Sequence, residues 1–547
     1  MRKHLFALLL VTGLLMPTAA FAQTVKITPA ETKIAEAITA GQLSDYLHFV
    51  ASDAMGGRDT PSQGLDVTAE FLRFNLQKWG FKGAGDNGTF FQRLDLLRTK
   101  LKPADTTATV NGQSLAYGTD FLASTASGSV SSAPMVFAGD GWMVKTANRE
   151  PLKGLDVKGK IVVAYSDGGP RGMTFQQLNA AGKQGVDWAD PITYAKENGA
   201  IGVIYLGSQS ITTNWERTRR QRETGGGYTV DKLRPTAPAT IPSITLSQKA
   251  SESLMASEAS DFARIKGTAA AEQLPAFAMS GGKNASFNVA TEVERAKTQN
   301  VVALWEGSDP VLKKEMVAVG AHYDHVGTNP NAQGDDKIWN GADDDGSGTV
   351  AVLAIAEALA KSKVRPKRSV LLVWHCAEEK GLLGAEYFNK FPTVDIKQVI
   401  AQLNIDMIGR SKAAGDTNPR NKDLTGPDGV YVIGSEMMSS TLGAITKGTN
   451  DAYLKLGYDY RYDDPKDTNR FFFRSDHFHY AQNGIPITFW FDGVHQDYHG
   501  AGDSPDKIDY QKMEKIARTI FLTMWELTDL KERPKIDKQL PPELTQR

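Results

Sequence analysis

Cysteine is almost absent from this chain. The single Cys376 in 547 residues excludes an intrachain disulfide, so stability must come from core burial or bound metal. An excess of one charge is lacking too: 62 basic residues against 63 acidic ones leave no electrostatic footprint for nucleic acid. The one local excess, Arg217 to Arg222 (RTRRQR), reads as a solvated loop. Past the N-terminus no apolar run reaches about 18 residues, the length needed to span a bilayer. No internal repeat or low-complexity tract is visible. A hydrophobic content of 41% and a charged content of 23% are ordinary for a globular chain with sizeable cores. The length suggests about three or four domains, fewer if one of them is a large α/β unit.

The N-terminus has the pattern of a signal peptide over residues 1–22. Arg2 and Lys3 supply the charge, Leu5 to Leu15 the apolar stretch, and Ala20-Phe21-Ala22 the small-x-small cleavage site. The expectation is a chain exported to the periplasm or secreted, beginning near Gln23. No cysteine follows the cleavage site to take a lipid anchor.

The texture then changes twice. Within residues 23–115, roughly Ile34 to Leu97 reads as helical segments followed by a loop, with a helix from Asp66 to Gly80 that has Val67, Phe71 and Phe74 at i, i+4 and i+7. Residues 116–277 are rich in Gly, Ser and short apolar runs (APMVFAG, GKIVVAYS, AIGVIYLG, IPSITLS), which predicts a small β-rich insert. It contains no histidine. Within residues 278–547, strand-like and helical patterns alternate from Gln299 onward. The strand-like runs are Val301 to Trp305, Met316 to Ala321, Val370 to Trp374, Val399 to Ile405, Val430 to Ile433 and Ile487 to Phe491, and Tyr510 to Leu530 reads as a closing amphipathic helix. Such Val/Ile/Leu runs suit strands buried on both faces, so the expected fold is α/β with a mostly parallel central sheet flanked by helices.

Groups that bind metal follow several of those strands. They are His322-Tyr-Asp324, the triple acid Asp343-Asp344-Asp345, the pair Glu378-Glu379, then Asp406 and His499. Open α/β sheets place ligands at strand C-terminal ends, so position and chemistry agree. A mixed imidazole and carboxylate shell suits zinc. Two ions about 3.5–4 Å apart can share one carboxylate while each takes ligands of its own. One Glu of the adjacent pair is then free to act as a base toward the attacking water. This chemistry alone gives metal-assisted amide hydrolysis. Asp343 and Asp345 can be read as acids favoured by the dipole of the succeeding helix. His495 is a weaker ligand candidate than His499, and His325, His375, His477 and His479 read as packing, supporting or pocket groups. Cys376 reads as a small buried residue at a strand end.

From about Asn300 to Leu530 the chain resembles the co-catalytic zinc aminopeptidases of the bacterial leucyl aminopeptidase and aminopeptidase Y type. The likeness rests on H-x-D, an acidic loop ahead of G-S-G, E-E-x-G-x-x-G, D-M-I-G and a late Y-H. The resemblance implies the zinc exopeptidase fold and two zinc ions. It implies that His322 and Asp406 hold one ion, Glu379 and His499 the other, with Asp344 between them. Glu378 would be the base and Asp324 would orient His322. The insert is similar to a protease-associated domain, which would make 23–115 and 278–547 two parts of one peptidase domain.

The function so implied is an exported zinc aminopeptidase acting on peptides. A carboxypeptidase or dipeptidase on the same scaffold would want basic side chains for a substrate carboxylate. Arg410 and Arg474 are possible sources, and Tyr498 is a further candidate substrate contact. A single-zinc cyclase would leave part of the ligand set superfluous. A catalytically dead binding protein would be expected to have lost a ligand or Glu378, and all are present. Sequence leaves the oligomeric state and the preferred side chain open.

Overall fold

The computed structural model describes residues 25–233, 240–270 and 272–540. The expected signal peptide therefore lies outside the described residues. No helix among them is long and apolar enough to cross a membrane. The chain divides into two compact units, Met1–Arg93 with Thr298–Arg547, and Leu94–Lys297.

The first unit is α/β, as its patterning predicts. Four strands, Ser369–His375, Met316–His322, Val399–Ile405 and Ile487–Phe491, lie side by side and parallel. The strand Thr291–Trp305 joins antiparallel at one edge through Val301 to Trp305, and Gly429–Ile433 joins antiparallel at the other. The four parallel strands are buried at every position, which is why they read as unbroken apolar runs. On one face Phe388 of helix Leu383–Lys390 and Phe478 and Tyr480 of helix His477–Gln482 share a core with Ala318, Leu371 and Val373. Helices Gly348–Lys361 and Tyr510–Asp529 also pack on the strand Met316–His322 and on each other.

The early helix of this unit runs Gln63–Lys78 and buries Leu65, Ala69, Leu72 and Leu76. Val67 and Phe74 are 39% and 57% exposed. The sequence holds two overlapping apolar stripes at helical spacing, and the one inferred from Val67, Phe71 and Phe74 is the outer one.

The second unit is wider than the expected 116–277. Thr107–Val110 and Asn284–Val289 pair with each other, and Asn284–Val289 pairs with Gly128–Ala138, so both flanks belong to the same sheet. Its centre is parallel: Gly128–Ala138, Ile161–Ala164, Gly202–Tyr205 and Ser243–Leu246, the four runs singled out by their apolar texture. The unit also carries helices, among them Trp215–Thr224. The basic run at Arg217 to Arg222 is thus helical, not a loop. Arg219 pairs with Glu216 and Glu223 on successive turns, a spacing that offsets the clustered positive charge.

Candidate metal centre

The strand register brings the motif residues to one edge of the first unit. His322 and His375 end neighbouring strands and are directly paired, and Asp406 follows Ile405, which is paired with Trp490 on the next strand. The acidic loop is held against them by its own carboxylates. Asp345 accepts the N–H groups of His322 (3.1 Å), Gly348 (2.9 Å) and Met407 (3.2 Å). It therefore caps the helix Gly348–Lys361 and ties three motif segments together. Gly348 is obligatory here: a Cβ would stand 2.3 Å from the Ile405 carbonyl. Asp343 accepts the Gly409 N–H (2.6 Å), and Asp503 accepts those of Asp343 (2.9 Å) and Asp344 (3.1 Å).

Asp344 is left facing two donor sets. Its Oδ1 lies 3.3 Å from His322 Nε2, which is 3.6 Å from Asp406 Oδ1. Its Oδ2 lies 3.1 Å from His499 Nε2, which is equally 3.1 Å from Glu379 Oε2. His322, Asp344 and Asp406 form one group able to hold a cation, and His325, Asp344, Glu379 and His499 form another. The five residues expected to ligate are thus brought together, with Asp344 common to both groups. His325, read from sequence as a packing or supporting residue, stands inside the second.

The charges are arranged as a cation site requires. Burial works against ionisation of Asp344, yet His322 and His499 hold its carboxyl well below the usual range. Burial likewise disfavours the charged imidazole of His499, but Asp344 and Glu379 outweigh it and push the ring up to about 10. A cation must displace such protons, so its uptake releases them. Glu378 is shifted the other way: burial raises its carboxyl well above the usual range, with Glu379 and Asp406 adding to the effect and His322 opposing it. Its Oε2 is 4.0 Å from His322 Nε2. A carboxylate that accepts a proton this readily, unshared with the second donor group, suits a general base.

Asp324 supports both sides. Its Oδ1 accepts the Glu378 N–H (3.1 Å) and lies 3.7 Å from His322 Nδ1, which is 3.1 Å from the Asp324 main-chain carbonyl. The carboxylate therefore holds the Glu378 backbone directly, and the ring of His322 is oriented chiefly by the main chain. Thr60 completes the arrangement, donating to Asp324 Oδ2 (3.0 Å) and accepting the Ala377 N–H (3.1 Å).

Arg58 is wholly buried and donates to the carbonyls of Val50 and Asn340 (both 2.7 Å), Gly341 (2.8 Å) and Tyr323 (2.9 Å). It thereby clamps the H-x-D loop to the acidic loop. Sequence reading missed Arg58, Thr60 and Asp503, most of whose partners lie far along the chain.

A narrow cavity of about 30 Å³ opens on this centre, lined by His322, Asp344, Glu378 and Asp406 on one side and by Met407, Phe471, Phe489, Phe491 and Val494 on the other. Arg474 and Tyr498 line it as well. A wider groove of about 490 Å³ shares Phe471, Arg474, Val494 and Tyr498 with it. Arg410 is outside both. Its guanidinium is 2.8 Å from Asp497 and 3.4 Å from His495 Nδ1, and the His495 Nε2 is 3.4 Å from Asp343. His375 and His477 are buried against the Tyr480 hydroxyl (3.2 Å) and the Phe472 carbonyl (2.9 Å). Cys376 is buried, as expected, and burial pushes its thiol far up, which disfavours a nucleophilic thiolate.

Residues 300–524 match the model of peptidase family M28. Leucine aminopeptidase 2 of Arthroderma otae is 26% identical over 301 residues, covering 49% of this chain and 53% of the relative. A probable leucine aminopeptidase 2 of Aspergillus fumigatus is 34% identical over 181 residues, or 32% of this chain and 33% of the relative. The chain spans about half the length of the first and a third of the second. Among solved structures, an aminopeptidase from Aneurinibacillus sp. aligns at 17% identity and TM-score 0.49, covering 94% of this chain and 98% of its own. A zinc aminopeptidase from Bacillus subtilis aligns at 17% identity and TM-score 0.44, covering 93% and 99%.

Proposed function

We propose that this protein is an exported, zinc-dependent aminopeptidase that uses two ions. One observation carries the reading: the two oxygens of Asp344 face separate imidazole and carboxylate donor sets, the arrangement a shared pair of cations needs. The donors fit zinc, a borderline cation content with imidazole nitrogen and carboxylate oxygen. Asp344 Oδ2, Glu379 Oε1 and His499 Nε2 are buried without a hydrogen-bond partner, which a bound cation would resolve. Zinc in these positions would supply Lewis-acid polarisation of the scissile carbonyl and acidify the attacking water.

The chain's own residues do the rest. Glu378, lining the cavity, takes the proton of the water and delivers it to the nitrogen of the departing amine. Asp324 fixes the Glu378 backbone so that the carboxylate does not drift from the reacting atoms. The phenylalanine walls suit an apolar side chain at the cleaved residue, and the named leucine aminopeptidases point to the amino end. The sequence of residues 1–22 is the ground for export. The unit Leu94–Lys297 is read as a protease-associated-type insert that contributes no ligand, in keeping with its lack of histidine.

One observation favours a second reading. Arg474 lines both the cavity and the groove and could hold a substrate carboxylate, as a carboxypeptidase or dipeptidase requires. A panel of free-amine, N-blocked and C-amidated peptides separates the two. The aminopeptidase reading expects chelator-sensitive cleavage that N-blocking abolishes and C-amidation leaves alone. Loss on C-amidation alone would transfer the assignment to the Arg474 reading.

A further inference from the structure

We propose that His325 is a sixth protein ligand, binding through Nδ1, and that the two cation positions are consequently unequal: one closed by protein, the other open to substrate. The inference rests on the two-ion reading above and deepens it. His325 is wholly buried, and its Nδ1 lies 3.0 Å from Glu379 Oε1 and 3.6 Å from Asp344 Oδ2. The nitrogen and both oxygens nevertheless lack a hydrogen-bond partner, as does His499 Nε2. Four buried donor atoms therefore converge without satisfying one another. In a tetrahedral zinc shell with bonds of about 2.0–2.1 Å, neighbouring donors sit about 3.3 Å apart. The separations among these atoms are 3.0, 3.1 and 3.6 Å, which bracket that spacing, and His499 Nε2 is also 3.1 Å from the other carboxylate oxygen of Glu379. The rings of His325 and His499 stand at 76°, so the two imidazoles approach the common point without stacking on each other.

Ligand count then distinguishes the positions. His325, Asp344, Glu379 and His499 fill a tetrahedral shell, the pattern of a site closed by protein, whereas His322, Asp344 and Asp406 leave one position open, the pattern of a catalytic one. The cavity gives independent support. It is lined by His322, Asp344 and Asp406, and not by His325, Glu379 or His499. The side with three donors is the one that meets the substrate space. His325 is also held in place sterically. Gly341 has φ +60, and a Cβ there would lie 2.4 Å from His325 Cγ, so the loop passes against the ring where no side chain could.

The test uses the full-length protein, stripped of metal and titrated with zinc alone against a chromophoric chelator. Two dissociation constants are expected, the tighter belonging to the four-donor position. His325→Ala and the bulkier His325→Gln should each weaken that tighter constant at least about 10–100-fold, the size of loss known even for groups one step removed from a metal. Asp406→Ala should abolish the weaker site and leave the tighter one. Zinc anomalous diffraction from the unsubstituted protein needs no variant and should put a metal about 2.0–2.1 Å from His325 Nδ1. If both His325 variants fold and keep both constants, or if the anomalous peak lies beyond about 3 Å from Nδ1, a longer separation than any zinc–nitrogen bond, the assignment of His325 is overturned while the two-ion reading stands. If the unsubstituted protein binds no zinc, both fall.

Discussion

The strand Met316–His322 of the first unit and the strand Ile161–Ala164 of the second are built alike. Each is buried along its length and lies between two parallel neighbours. The segments leaving their C-terminal ends differ. The first strand runs into His322-Tyr-Asp324, whose groups converge with Asp344 and Asp406. The second runs into Tyr165-Ser166-Asp167, where Asp167 accepts the Ser210 hydroxyl and joins no group of donors. Every histidine among the described residues belongs to the first unit. Parallel topology thus provides strand ends as a place for function in both units, and only the supply of imidazole and carboxylate makes one of them a candidate metal centre.

The sharpest way to test that contrast is to remove chemistry without shape. Glu378→Gln keeps the volume and takes away the proton-accepting charge, so kcat should fall on the order of 10²–10⁴-fold. Zinc content should be unchanged, because Glu378 belongs to neither donor group. Glu379→Gln, in contrast, should lose zinc first and activity as a consequence. Zinc content and kcat for the two variants decide the matter, and the reverse outcome exchanges their roles.

A blunter test removes the second unit altogether. Joining Arg93 to Thr298 by a short linker should leave zinc binding intact, since neither donor group draws on Leu94–Lys297. Turnover of a small arylamide should change by less than about tenfold, within what small shifts of positioning groups cost. A folded deletion protein that binds no zinc would show that the second unit takes part in the centre.

A half-buried cation in the second unit sharpens the comparison from the other side. Lys283 pairs with Glu258 at 2.9 Å and donates to the carbonyls of Leu254 (2.8 Å) and Ala256 (2.7 Å). Lys283→Met strands those acceptors and should destabilise this unit by about 1–3 kcal/mol. Thermal or denaturant melting should record the loss, with zinc content and kcat unaltered. A change in either of the latter would mean that the units are not independent in the way their chemistry suggests.

The legible parts of this molecule are those with a local signature. Val399–Ile405 and Ile487–Phe491 are bounded correctly from sequence because strands buried on both faces leave unbroken apolar runs. The ligand candidates are legible because acids and imidazoles placed after such runs stand out. Arg58, Thr60 and Asp503 are not. Thr60 acts on the Asp324 carboxylate 264 residues away and the Ala377 backbone 317 away, Asp503 acts on backbone groups 159 to 160 away, and hydrogen bonds to main chain leave no mark on the partner's sequence. His325 is visible but undirected. Three positions beyond His322 it would share a face on a helix, whereas in a loop the direction of its ring depends on Gly341 and Arg58, which local spacing does not encode.

Not every shifted acid of the first unit serves the centre, and the smallest expected effect shows where the line falls. Glu526 sits near the end of helix Tyr510–Asp529, away from both donor groups. Burial raises its carboxyl from the ordinary 4.5 to about 7, with the charges of Glu31 and Asp529 adding to it. The folded chain therefore keeps this proton over a pH range in which the unfolded chain has released it. The contribution to stability is complete below about pH 4.5, declines as pH rises, and is lost above about 7. Glu526→Gln is neutral at every pH and removes that decline. Because the group is only partly buried, solvent screening reduces the gain, and the variant should melt about 1–2 °C above the parent at pH 8. At pH 4.5 the two should melt together, with zinc content the same throughout. A gain of equal size at both pH values would trace the effect to helix propensity and not to ionisation. A change in zinc content would bring Glu526 into the electrostatics of the centre, and the distinction between a structural acid and a functional one in this unit would have to be redrawn.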